Sequence, residues 1–104
     1  MTVKELAQEL KTLGYDCAYD HFNTTPTLPF IAYFENERTD FIADNKVYRK
    51  QQNITIELYT EFYEPNISEQ LEDLLERLGI VYDCVPFLYI EDERMYMSSY
   101  SFSL

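Results

Sequence analysis

The sequence predicts an α+β domain, a mainly antiparallel or mixed sheet of about five strands with two helices packed on one of its faces. Two stretches carry apolar residues at helical spacing, and each is closed by one of the chain's two glycines. Between and after them run short segments that alternate apolar with polar residues or are continuously apolar, the patterns of strands. Several of these strands follow one another with no helix between, which favours α+β over an alternating α/β chain. With 104 residues, 46% of them apolar, the chain is expected to form a single domain over residues 1–104. Ten tyrosines and seven phenylalanines are too many for a disordered chain. A domain of this size buries roughly two thirds of the surface its unfolded chain exposes, so a core forms without disulfides or a metal.

The first helix is expected over about residues 3–13. Thr2-Val3-Lys4-Glu5 has the capping-box spacing, Val3, Leu6, Ala7, Leu10 and Leu13 make its apolar stripe, and Gly14 supplies a left-handed cap. Residues 15–22 suit a short strand, and residues 23–27 a loop before Pro29. The run Phe30-Ile31-Ala32-Tyr33-Phe34 suits a central strand buried on both faces. Phe41-Ile42-Ala43 and Val47-Tyr48 flank Asp44-Asn45-Lys46, which reads as a hairpin or a projecting loop. Ile54, Ile56 and Leu58 alternate with Thr55, Glu57 and Tyr59, so this strand sets one face on a core and the other toward water or a partner.

The second helix is expected over about residues 67–78. Pro65 stops the strand before it, Asn66 and Glu69 repeat the capping-box spacing, and Ile67, Leu71, Leu74, Leu75 and Leu78 run to Gly79. Residues 80–90 read as a strand broken or bulged at Pro86. Glu91-Asp92-Glu93 then turns the chain into a last strand with Tyr96, Tyr100, Phe102 and Leu104 on the core side. The helix–Leu-Gly–strand passages at 5–17 and 70–84 echo one another, which the shared grammar of a helix-to-strand turn explains as well as duplication does.

Nineteen acidic against eight basic residues give a net charge of -11, which argues against binding a phosphate backbone or an anionic membrane. The apolar runs of four or five residues are far short of the ~20 that cross a bilayer. The N-terminal residues lack the basic and apolar regions of a signal peptide, so the protein is expected to be soluble and to stay where it is made. In that setting Cys17 and Cys84 read as reduced core thiols rather than a bridge. No zinc spacing, calcium loop or Gly-rich phosphate loop is present, and no metal or cofactor is expected. His21 is the single histidine, and pairing it with either cysteine as a nucleophile requires the fold to bring them together. The pairs Glu35/Glu37 and Asp92/Glu93 read as solvated turns, so the chain is not expected to be an enzyme.

Tyrosine is the overabundant residue, suited to sheet packing and to protein interfaces alike. In an acidic chain, Lys46, Arg49 and Lys50 cluster beside the Asp44-Asn45 turn. They read either as partners for acids on a neighbouring subunit or as guards of a strand edge.

At Pro29-Phe30-Ile31-Ala32-Tyr33-Phe34-Glu35, through Asp40-Phe41-Ile42-Ala43-Asp44-Asn45-Lys46-Val47-Tyr48, to Ile54-Thr55-Ile56-Glu57-Leu58-Tyr59-Thr60, the sequence resembles a family of small proteins from phages and prophages of Gram-positive bacteria. These are the tail completion proteins, also described as tail-to-head joining or tail terminator proteins. The resemblance covers about residues 1–100, with residues 43–48 its most specific part. It implies a structural α+β subunit without catalytic residues, monomeric when free and assembled as a hexameric ring on the head-proximal end of a tail tube. Its partners are then further copies of itself, the tail tube protein and the head-tail connector. Its place is the virion, and during assembly the host cytoplasm. Asp44, Asn45, Lys46, Tyr48, Arg49 and Lys50 are the expected interface. The competing expectation is an acidic DNA mimic that occupies a basic groove on a host enzyme, although these acids are spread among apolar strand residues.

Overall fold

The computed structural model describes residues 1–36, 39–43 and 46–104, and for 39–43 and 46–51 the backbone alone. The elements run α1 (Val3–Lys11), β1 (Asp16–Tyr19), β2 (Phe30–Glu35), β3 (Thr39–Ala43), β4 (Lys46–Gln51), β5 (Asn53–Thr60), α2 (Pro65–Arg77), β6 (Asp83–Ile90) and β7 (Met95–Ser103). Five strands form one mixed sheet in the order β1-β2-β5-β7-β6, and β3 pairs with β4 in a two-stranded sheet of its own. The α+β class is as the sequence predicts.

Helix α1 begins at the expected capping box. The Glu5 amide donates to Thr2 Oγ1 at 3.1 Å and the Thr2 amide to Glu5 Oε1 at 3.2 Å, satisfying two otherwise unpaired donors. It stops two residues earlier than the apolar stripe suggests. Thr12 Oγ1 donates back to the Glu9 carbonyl at 2.6 Å, and Gly14 turns the chain at φ +87°. Leu13 packs against the core from beyond the helix end.

Helix α2 corrects the expectation at its start. Pro65 opens the helix instead of closing the strand before it, and Glu64 is the N-cap, with no side-chain cap bond. The Asn66–Glu69 spacing therefore makes no capping box. Proline's fixed φ suits the first helical turn, where its missing N–H costs nothing, so the helix starts two residues before the expected position 67. Gly79 ends this passage at φ +74°.

Strand β2 is not the central strand; β5 is, with β2 and β7 on either side of it. The short β1 pairs with β2 in parallel, Asp16 opposite Phe30 and Tyr19 opposite Tyr33. Parallel neighbours commonly need a helical crossover, but a four-residue strand spans only ~13 Å, so the loop of residues 20–29 returns without one. Asp20 reverses the chain at φ +68°, and Asp16 Oδ2 accepts from the Thr27 amide at 3.0 Å, fastening the returning end beside the start of β1.

The register places Ile31 and Tyr33 of β2, Ile54, Ile56 and Leu58 of β5, and Tyr100 and Phe102 of β7 on a common face. These residues join Leu6 and Leu10 of α1 and Leu71, Leu74 and Leu75 of α2 in one buried cluster. The alternation read in residues 54–58 thus has its core side as expected. Strand β6 carries the expected bulge, its register shifting between Val85 and Leu88 while Phe87 takes φ +42°. Among the described residues no helix is long and apolar enough to cross a membrane.

Candidate interaction surface

Of the expected interface residues, Asp44 and Asn45 lie outside the described residues. Lys46, Tyr48, Arg49 and Lys50 lie on β4, whose backbone pairs Ala43 with Lys46 and Asp40 with Lys50, so the hairpin reading of this segment holds over its described part. Glu37 also lies outside the described residues.

Two further surfaces come from the five-stranded sheet. Strand β6 is one of its edges, and most of its eight residues are exposed. Val85, Leu88 and Tyr89 stand more than half exposed or close to it, at 58, 53 and 50%. At the bulge of this strand, Tyr63 packs edge-on against Phe87 at 4.5 Å and yet remains 63% exposed, as does Phe62 beside it. Edge strands of monomeric proteins are ordinarily blunted by charge, proline or a bulge. Here Pro86 and the bulge interrupt the strand, while apolar side chains on both sides of the interruption stay in water.

The other surface lies on the sheet face opposite the core. Phe30 of β2 stands directly across from Tyr59 of β5, and their rings stack at 4.7 Å with an interplanar angle of 20°. Phe22, carried by the loop after β1, meets Phe30 edge-on at 5.3 Å. The next pair along is Ala32 across from Glu57, and the small alanine leaves a depression of about 430 Å³ beside the aromatic stack. Asp20, Glu57 and Glu93 bring carboxylates to its lining, Met95 and Ile90 close it on the β6–β7 side, and among the described residues neither lysine nor arginine lines it. The Tyr59 hydroxyl donates to Glu57 Oε1 at 2.9 Å. Burial, this bond and the negative charges of Glu57 and Glu93 push the Tyr59 phenol up to about 12, so it remains a neutral donor across the physiological range. Sequence reasoning passed over this groove, because Phe22, Phe30, Tyr59 and Glu93 are far apart in the chain and meet only through the strand order.

The tyrosines divide between the two roles open to them. Tyr33 and Tyr100 are buried, Tyr15 and Tyr82 pack against the core, and Tyr19, Tyr63 and Tyr89 stay exposed. Tyr100 is fully buried, its ring edge-on to Tyr82 at 5.5 Å and its hydroxyl donating to Glu72 Oε2 at 2.8 Å.

The candidate nucleophiles are placed as follows. Cys17 is half-buried on β1, and burial pushes its thiol up to about 11, which holds it protonated at neutral pH. Cys84 is exposed on β6, so only one of the two thiols sits against the core, and both are free. Cys84 stands across from Tyr100, with whose hydroxyl its thiol makes a hydrogen bond, and burial raises the thiol's pKa above its ordinary value. His21 is exposed, with Nδ1 3.0 Å from Asp20 Oδ2.

No model of a known protein family matches this chain, and no curated protein matches it.

Proposed function

We propose that this chain is a structural subunit of a phage tail, assembling as a ring that caps the head-proximal end of the tail tube and joins it to the head connector. The observation that carries the reading is the open edge at β6, where Val85, Leu88 and Tyr89 face water along an eight-residue strand. Such an edge gives a second copy both backbone pairing and apolar contact area. Two different surfaces, one edge and one hairpin, also suit the head-to-tail contacts by which a ring closes. The segments that carry the family resemblance fall on β2, β3, β4 and β5, and the hairpin that lies between them stands outside the main sheet. The net charge of -11 keeps such a ring from gripping the DNA that passes through it.

The test is the solution mass of the purified chain by light scattering, alone and mixed with tail-tube protein. Six copies of a 12.5 kDa chain give about 75 kDa, and a species of that size, or tubes capped at one end, is the expected result in the mixture. Val85→Lys together with Leu88→Lys is expected to abolish it while leaving the monomer folded, because both side chains are exposed. A chain that stays monomeric in both samples, and displaces DNA from a basic host enzyme, overturns the reading in favour of DNA mimicry.

A further inference from the structure

We propose that the groove beside the Phe30–Tyr59 stack is the receptor for the basic segment Lys46–Lys50 of a second copy of this chain, with a lysine or arginine side chain seated against the rings between carboxylates. This deepens the ring reading and rests on it for the identity of the occupant.

The groove has the chemistry of a cation site. Its aromatic floor is built by Phe30, Tyr59 and Phe22, and an aromatic ring attracts an ammonium or guanidinium group over its face. Its rim carries Asp20, Glu57 and Glu93, and His21, which also lines it, is already paired with Asp20. Glu57 gives one oxygen to the Tyr59 hydroxyl, and as a carboxylate it keeps further acceptor capacity for an incoming donor. Ala32 across from Glu57 provides the room.

The chain itself holds the complementary piece. Three of its eight basic residues fall within the five positions 46–50. They lie on a strand whose only sheet partner among the described residues is β3. A two-stranded hairpin alone in water is marginally stable, so it gains by docking on another surface. Opposite charge across that contact also fixes its register and repels wrong pairings. Groove and hairpin are different surfaces, so the contact is head-to-tail, the kind that closes rings.

The test uses the full chain, isotope-labelled for NMR, and a capped synthetic peptide with the sequence of residues 46–51. Saturable shifts at Phe30, Tyr59 and the Met95 methyl are expected, weakened at least fivefold in the Glu57→Gln/Glu93→Gln variant and absent for a peptide whose three basic residues are replaced by norleucine. Glutamine at 57 still accepts from Tyr59, so the variant keeps the fold, which its thermal unfolding checks. Lack of saturable shifts in the groove, or equal binding by the variant, overturns the proposal. Light scattering with tail-tube protein separates its failure from that of the ring reading. A variant that still forms the ring removes the groove contact and leaves the ring, whereas peptide binding without any ring keeps the contact and removes the terminator role.

Discussion

Tyr100 is the clearest place to test how this fold is held. Its side chain is fully buried, and its hydroxyl donates to Glu72 Oε2 at 2.8 Å, tying the last strand to α2. Tyr100→Phe keeps the ring, including its edge contact with Tyr82, and removes the bond to Glu72 together with the hydroxyl's hydrogen bond with Cys84. A hydrogen bond to a charged acceptor contributes about 1.5–3 kcal/mol. Glu72 is only half-buried, so water takes up part of its lost bond, and the expected cost is about 1–2 kcal/mol. In urea that corresponds to a midpoint lower by about 1 M, measured by far-UV circular dichroism because the chain has no tryptophan. The same bond fixes a pH dependence. Burial first, and then the bond to Glu72 and its charge, raise the Tyr100 pKa above its ordinary value of 10.0. The folded state therefore keeps a proton that the unfolded chain releases, so this stabilisation is complete below pH 10.0 and declines as the pH rises beyond it. In Tyr100→Phe the alkaline loss of stability is expected to be shallower, the remainder coming from groups such as Tyr59, whose phenol is pushed up to about 12. A variant as stable as the parent at neutral pH, with the same alkaline decline, refutes the reasoning.

Three further perturbations address other parts of the fold. Gly79 holds φ +74° in open space, so Gly79→Ala is expected to cost about 1–2 kcal/mol from backbone strain alone, and Gly79→Asn less, both read by urea unfolding. Leu75→Ala, at a fully buried position against the sheet, is expected to cost about 2–5 kcal/mol, and a loss below 1 kcal/mol in the same assay counts against the core assignment. Near pH 8 a thiol reagent such as Ellman's is expected to label one cysteine quickly and the other slowly; peptide mapping should find Cys84 in the fast fraction, since Cys17 is half-buried with its thiol pushed up to about 11.

The residues that signal local structure did so where a single mechanism was at work. Thr2 and Glu5 form the capping box their spacing announces, Gly14 and Gly79 take the left-handed conformation, and Ile54, Ile56 and Leu58 turn one side of their strand to the core. Pro86 lies within a real bulge. Where two mechanisms competed for the same residues, pattern alone chose wrongly. Pro65 can end a strand or begin a helix, and the Asn66–Glu69 spacing supported the later start, yet the helix begins at the proline. The apolar run from Phe30 to Phe34 suggested the middle of the sheet, but it lies one place from the edge, with Phe22 covering part of its outer face.

By itself the sequence determined the elements, their class and the charge of the molecule, because capping, periodicity and turn chemistry act between residues a few positions apart. Strand order depends instead on which apolar faces bury together across long stretches of chain. Only the tertiary structure decided that β5 is central, that β1 lies parallel to β2, and that β6 is left at an edge with Val85, Leu88 and Tyr89 in water. The same non-local pairing sets Phe30 across from Tyr59 and Ala32 across from Glu57, creating the groove. Neighbours across a sheet are chosen by register, and a shift of one residue sends every side chain to the opposite face.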